Sequence, residues 1–364
     1  MTHYRVPFFE TLRRHMQQAG LELLLAHGEG TPDEQHKQDG GTLDWAHKLS
    51  TRYIAGGRLC WQPFGDLHRR SALSVVTAEN KLLYNLCIQY GSRDQRVALW
   101  GHGGNLQGDP DSWRERFKRR VSHQADWWFA YTDMSAAMVS GTGYPAERIS
   151  VLDNAVDTSQ LAAQLSAVDD GQRSALRERL GLKGQHVGVF VGSLYPDKRL
   201  PFLLQAATAI RGELPDFELL IVGTGAQREL VDTFCSANRW AHALGVRKGA
   251  EKAELLSIAH LMLNPGLVGL GILDSFVAGV PMVTTDCGLH SPEIAYLDQA
   301  RNGWMSADNV DAYSQQVIAL FKDDALRENL RQGCAEAARR YTLDNMAARF
   351  TAGALGCLSR PPLR

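Results

Sequence analysis

"NPGLVGLGILDSFVAGVPMVTT", residues 264–285, places Gly266, Gly269 and Gly271 within six positions and follows them with an apolar stretch that one carboxylate, Asp274, interrupts. Glycines let a backbone approach a neighbour closely, and the helix expected from near Ile272 directs its unpaired amides and positive dipole end back at the loop. Upstream lies the apolar run "HLMLN" (260–264); downstream, after Gly279 and Pro281, comes the β-rich "MVTT". Strand, bare loop, helix and strand in succession form one repeat of a parallel α/β layer, and such a loop suits a phosphate or diphosphate. Tight packing of the helix on the sheet would ask for the same glycines, so the stretch alone leaves both explanations open.

The alternation extends along the whole chain. In the first half the strand candidates are "LELLLAH" (21–27), "LSVVT" (73–77), "RVALW" (96–100), "WWFAY" (127–131) and "ISVLD" (149–153). In the second they are "HVGVFVGS" (186–193), "FELLIVG" (217–223), "HALGV" (242–246), "HLMLN" and "PMVTT" (281–285). Segments with helical periodicity, such as 202–214 and 226–238, separate them. Two sets of five strands predict an α/β protein of two doubly wound domains, which suits a length of 364 residues. The expected division is 1–155, 156–341 and a C-terminal helix within 342–364 that returns to the first domain. One irregularity stands at the start: Val6, Phe9, Leu12 and Met16 follow a helical spacing where a doubly wound domain opens on a strand, so either the first strand is absent or the chain begins late.

Composition narrows the function. Lys and Arg number 39 against 40 Asp and Glu, a balance that offers no overall charge for a nucleic-acid partner. Six scattered cysteines form no CxxC pair or metal spacing and read as reduced thiols. No apolar run reaches the length of a membrane span, and the first residues lack a signal pattern, so a soluble, cytoplasmic protein is expected.

Ligands of open α/β sheets bind outside the carboxyl ends of the strands, which directs attention to three loops. One is 264–271. A second, "VGSLYPDKR" (191–199), carries Gly192, Ser193, Lys198 and Arg199 after the first strand of the second half. Its two cations could neutralise a phosphate, although a solvated loop lysine explains Lys198 taken alone. The third, "VGTGAQREL" (222–230), has a Gly-x-Gly turn at Gly223.

Taken together, "FVGSLYPDKRLPFLLQA", "LLIVGTGAQREL", "NPGLVGLGILDSFVAGVPMVTT" and "HSPEIAYL" followed by "NG" resemble the donor-binding half of the retaining glycosyltransferases of family 4. "WGHGGN" (100–105) and "ISVLDNAVD" (149–157) extend the resemblance into the first half. It implies a GT-B architecture, two Rossmann-like domains facing a central cleft, with residues 1–155 taking the acceptor and 156–341 the nucleotide-diphosphate sugar. Carried over by position, it implies that Lys198 meets the diphosphate and that Asp274, where the family usually has glutamate, receives the ribose hydroxyls. Gly269, Leu270 and Gly271 would offer backbone amides to the phosphates. His102 would face the transferred sugar. Two positions depart from the pattern: Ser193 stands where an arginine is common, so the second phosphate cation is either missing or supplied by Arg199, and Gly266 replaces the upstream glutamate that contacts sugar hydroxyls.

What the resemblance implies is transfer of a sugar, with retention, to a saccharide or lipid-linked acceptor in bacterial polysaccharide or lipopolysaccharide assembly. The nucleotide sugar is then a co-substrate, and no metal or other cofactor is called for. A nucleotide-sugar epimerase of the same fold and a catalytically silent nucleotide-sugar binder are the competing readings, the latter suggested by Gly266.

Other residues carry two readings each. Glu293 orients Lys198, meets the donor, or caps a short helix after Pro292. His290 reads as a loop histidine. Tyr4 and Arg5 either border the acceptor site or belong to a solvated turn. "SWRERFKRRVSH" (112–123) has five basic residues against one acid, with Trp113, Phe117 and Val121 at helical spacing. Such a helix could lean on the inner face of the cytoplasmic membrane or recognise a lipid-linked diphosphate, and an ordinary amphipathic helix has the same pattern.

Overall fold

The computed structural model describes residues 1–30, 40–79, 81–91, 95–103, 120–121 and 123–363. The chain separates into two compact units, Met1–Asp157 with Tyr341–Arg364, and Thr158–Arg340.

The first unit contains a short parallel pair, β1 (Ala26–His27) with β2 (His47–Lys48), and an antiparallel hairpin of β3 (Arg52–Ile54) and β4 (Leu59–Trp61). Its main sheet is parallel, with β5 (Leu73–Thr77), β6 (Arg96–Gly101), β7 (Trp127–Ala130) and β8 (Ile149–Val151) in sequence order. All four residues of β7 are buried, as a strand covered on both faces requires. One cover is the helix Leu343–Ser359, whose Phe350 stacks on Phe129 with ring centroids 4.2 Å apart. A Cβ on Gly353 would lie 2.4 Å from Ser150 Oγ, so a bare backbone at this point lets the helix reach the sheet. This C-terminal helix also packs against the helix Val6–Gln18, which buries Phe8, Leu12 and Met16.

Two features of this unit differ from the sequence reading. The run 21–27 supplies only Ala26 and His27 as strand, paired to β2 and not to the four-stranded sheet. Its residues are at most half-buried, and Leu21 N–H donates to the Met16 carbonyl at 2.8 Å, so the run begins as the exit of a helix. In the first helix the inward face passes through Phe8, with Val6 and Phe9 only half-buried.

The second unit is built on six parallel strands: β9 (His186–Val191), β10 (Phe217–Val222), β11 (Ala241–Gly245), β12 (Leu261–Leu263), β13 (Met282–Thr285) and β14 (Gly303–Ser306). Their order across the sheet is β11-β10-β9-β12-β13-β14. Counted from β9, this is the 3-2-1-4-5-6 order of the dinucleotide-binding fold, and the direction of winding reverses between β9 and β12. The sixth strand, "GWMS", is absent from the sequence reading because it is short, opens on glycine and has no alternation to mark it. Helices Leu200–Glu213 and Val310–Lys322 pack on each other, and the fully buried Tyr313 donates its hydroxyl to the Val283 carbonyl at 3.1 Å.

Candidate functional site

The reversal between β9 and β12 sets the loops 192–199 and 264–270 side by side at the carboxyl edge of the sheet, with 223–227, after β10, beyond the first. Their backbones touch. Leu194 N–H donates to the Thr224 carbonyl (2.9 Å) and Gln227 N–H to the Leu194 carbonyl (2.8 Å). Gly223, at φ +148°, leaves room for nothing larger: a Cβ there would lie 1.8 Å from the Gly192 carbonyl oxygen. On the other side Leu267 N–H donates to the Asp197 carbonyl at 2.8 Å. A Cβ on Gly266 would fall 2.3 Å from that same oxygen and 2.7 Å from Lys198 Cα. The glutamate that the family resemblance implies at 266 is therefore incompatible with how these two loops meet, and the glycine serves their packing.

Lys198 lies on this seam. Its Nζ donates to the Leu267 carbonyl, and burial pulls its ammonium below the ordinary lysine range, with Asp197 opposing the shift. Desolvation that penalises the charged form is relieved by an incoming anion. Asn264, 7% exposed at the end of β12, donates to the same Leu267 carbonyl at 3.3 Å.

Arg199 is placed differently from the expectation that it supplies a second phosphate cation. It adopts φ +57°, a left-handed conformation that costs energy in a residue with a side chain, and starts the helix Leu200–Glu213. Its guanidinium is ion-paired to Asp308, donates to Thr285 Oγ1 (3.1 Å) and Pro265 O (3.4 Å), and stacks on Phe202. It ties the ends of three strands' loops together.

Gly269, Leu270 and Gly271 stand at the start of the helix Gly271–Ala278, whose first amides have no intrahelical acceptor. Around Gly271 a Cβ would meet open space, and around Gly269 its nearest neighbour would be Ser291 Oγ at an ordinary 3.5 Å. The loop before this helix is held from behind by His290. Its Nδ1 accepts from Val268 N–H (3.1 Å), so its Nε2 carries the proton and donates to the Thr285 carbonyl (2.7 Å). Burial lowers the His290 pKa, in keeping with this neutral state. A residue that reads as a loop histidine is thus a buried strut. Glu293 is also buried, in the 3-10 turn Pro292–Tyr296, and Ser193 is exposed.

Asp274, in the first turn of its helix, accepts two hydrogen bonds from Lys252 Nζ, at 3.1 and 3.2 Å, with both side chains about one-quarter exposed. Lys252 comes from the helix Gly249–Ser257 after β11. Nothing in "GAEKAELLS" marks it, and only the strand order brings that helix beside residue 274.

In the first unit His102 follows β6, is exposed, and meets the edge of the Tyr131 ring at 4.4 Å between centroids. Residues 112–119 and 122 of the basic stretch 112–123 lie outside the described residues. Among those described, Val121 is buried and His123 Nε2 lies 3.0 Å from the Thr142 carbonyl. No described group of three or more His, Cys, Asp or Glu is placed to hold a metal ion, and no described helix is long and apolar enough to cross a membrane.

Residues 185–323 match the family described as "Glycosyl transferases group 1". That match falls within the second unit. A GDP-mannose-dependent alpha-(1-6)-phosphatidylinositol monomannoside mannosyltransferase of Mycolicibacterium smegmatis is 30% identical over 241 residues, 62% of this chain and 60% of the relative. The chain thus spans about three-fifths of that relative's length. Anabaena HepE, solved with UDP, superposes with a TM-score of 0.67 at 14% identity, covering 95% of this chain and 94% of its own. A putative UDP-N-acetylglucosamine 2-epimerase from Listeria monocytogenes superposes at 0.60 with 13% identity, covering 97% and 94%. The fold is GT-B, shared by WaaG, titled a glycosyltransferase, and by the protein titled a 2-epimerase.

Proposed function

We propose that the protein is a retaining glycosyltransferase of family 4 that moves a sugar from a nucleotide diphosphate to a saccharide or lipid-linked acceptor, in bacterial polysaccharide or lipopolysaccharide assembly. The observation that carries this reading is Lys198: a desolvated ammonium on the seam of two loops, at the point where the sheet reverses and beside the start of the helix Gly271–Ala278. Diphosphate bound there would be stabilised by one buried cation and by the helix amides. Arg199 acts one step back, by fixing the backbone from which Lys198 projects. Asp274 exchanges Lys252 for the ribose hydroxyls or shares itself between them.

In the reaction the bond between the anomeric carbon and the diphosphate oxygen breaks, and the acceptor hydroxyl bonds to that carbon on the face the diphosphate leaves. The acceptor's proton passes to a departing phosphate oxygen. Stabilising the leaving charge is the largest demand, and Lys198 and the helix amides meet it. His102 is assigned to the transferred sugar by the family resemblance. The relative named as GDP-mannose-dependent, and its phosphatidylinositol monomannoside acceptor, make GDP-mannose and an inositol lipid the first substrates to test. The basic stretch 112–123 is proposed to make peripheral contact with the membrane that carries such an acceptor.

The test is product analysis with GDP-mannose, UDP-glucose and UDP-N-acetylglucosamine, each with and without phosphatidylinositol acceptors. A new glycoside with the donor's anomeric configuration supports the reading. An isomerised donor would make the protein an epimerase, and nucleotide binding without either product would make it a silent binder.

A further inference from the structure

Arg5 does not lie in a solvated turn. It is 9% exposed, and its guanidinium carbon stands 5.3 Å from the ring centre of Tyr4, 5.4 Å from Trp100, 5.8 Å from Tyr131 and 6.0 Å from Phe8. Aromatic rings stabilise a cation but offer no lone pairs in the plane of the guanidinium, where its N–H donors point. Among the described residues Arg5 Nη1 is buried without a hydrogen-bond partner. The indole Nε1 of Trp100, in the same cluster, is buried and unpartnered as well. Two orphaned donors, one of them charged, in one aromatic cage are costly unless an acceptor completes them.

The cage sits at the carboxyl edge of the first unit's sheet. Trp100 is the fifth residue of β6, Tyr131 follows β7, and His102 lies against Tyr131. Its outer wall is open, because Tyr4 is 38% exposed and His102 is exposed. A planar guanidinium matches the paired oxygens of a phosphate or carboxylate, and flat rings match the faces of a sugar.

We infer that Arg5, with the indole N–H of Trp100, binds an oxyanion group, a phosphate or carboxylate, borne by a saccharide at the carboxyl edge of the first sheet. Identifying that saccharide as the acceptor rests on the transferase reading; the oxyanion site itself does not. Two sources have this chemistry, a phosphorylated sugar in solution and the phosphodiester of an inositol lipid.

The full chain is titrated with mannose 6-phosphate against mannose, and with vesicles of phosphatidylinositol in phosphatidylcholine against phosphatidylcholine alone. GDP or UDP is kept saturating so that the second unit's loops do not compete. At least one phosphate-bearing probe is expected to bind about tenfold or more tightly than its counterpart and to move the Trp100 indole N–H resonance, identified by its loss in Trp100→Phe. Arg5→Gln removes the discrimination and Arg5→Lys keeps part of it, while nucleotide affinity, read in the other unit, stays at the wild-type value. Preference for the sugar or for the vesicle assigns the source. No discrimination by either probe, equal binding by Arg5→Gln, or an unmoved Trp100 resonance overturns the site. If Arg5→Gln does not fold, the wild-type resonance decides. Should neither nucleotide raise the melting temperature, the transferase reading falls while the phosphate titration still judges Arg5.

Discussion

Gly266 and Gly271, five residues apart in one loop-to-helix segment, should respond oppositely to the same methyl group. At Gly266 an added Cβ meets only backbone: Asp197 O at 2.3 Å, Lys198 C at 2.6 Å and Lys198 Cα at 2.7 Å. No rotamer change relieves such contacts, so the segment 197–198 must move or the loop 264–267 must lift, breaking Leu267 N–H to Asp197 O. Overpacking of this kind costs about 1–3 kcal/mol, and in a unit of this size each kcal/mol lowers the melting temperature by roughly 2–4 °C. Because Lys198 moves with its backbone, Gly266→Ala should also weaken nucleotide diphosphate binding without touching the ligand. At Gly271 the Cβ enters open space at the first turn of a helix, where alanine is the better residue by about 0.5–1 kcal/mol. Gly271→Ala should therefore keep or raise stability, while crowding the amides assigned to phosphate and so lowering affinity. Thermal melts and calorimetric titration of both variants with GDP and UDP separate the two effects. A Gly266→Ala protein with wild-type melting temperature and affinity would refute the account of the loop seam.

Lys198→Ala should weaken nucleotide diphosphate binding by about 1.5–3 kcal/mol, the scale of a charge-assisted hydrogen bond, and calorimetry showing unchanged affinity would remove Lys198 from the site. Asp274→Asn should weaken binding of nucleotide diphosphate and nucleotide sugar alike, whereas His102→Ala should spare nucleotide diphosphate binding and lower turnover; wild-type turnover in the latter would dismiss His102. Burial pushes His260 to about 4, from 6.5, and its Nδ1 accepts from Val187 N–H at 3.2 Å, an arrangement that needs the neutral ring. The unfolded chain then binds the proton first, so this part of the stability is present above pH 6.5 and lost as pH falls toward 4. At 1.36 kcal/mol per pH unit the loss approaches about 3 kcal/mol. Urea midpoints at pH 7 and pH 4.5 should draw closer together in His260→Gln, and an unchanged gap would contradict the assignment.

The sequence displays most plainly what local periodicity encodes. "RVALW" and "FELLIVG" stand as strands in the structure because continuous β-rich runs suit positions covered on both faces. "LELLLAH" has the same composition and ends as two strand residues beside a helix exit, since an apolar run records burial and not its partner. At the candidate site Lys198 and the glycines are visible from their loop position. Lys252 is not, because its meeting with Asp274 depends on which helix the strand order sets beside which. Arg199 could be read as a cation but not as one already committed to Asp308, 109 positions away. Long-range pairing of polar side chains leaves no periodic trace, and in this protein it decides which charges remain for a ligand.

The return of Tyr341–Arg364 to the first unit sets an order on synthesis. A nascent chain presents Thr158–Arg340 as a continuous stretch whose six strands and helices can close on one another before residues 341–364 are made. The first unit has to wait. Its sheet stays uncovered where Phe350 will stack on Phe129, and the helix Val6–Gln18 meets its packing partner only when residues 343–359 leave the ribosome. The half of the protein translated first is therefore the half completed last.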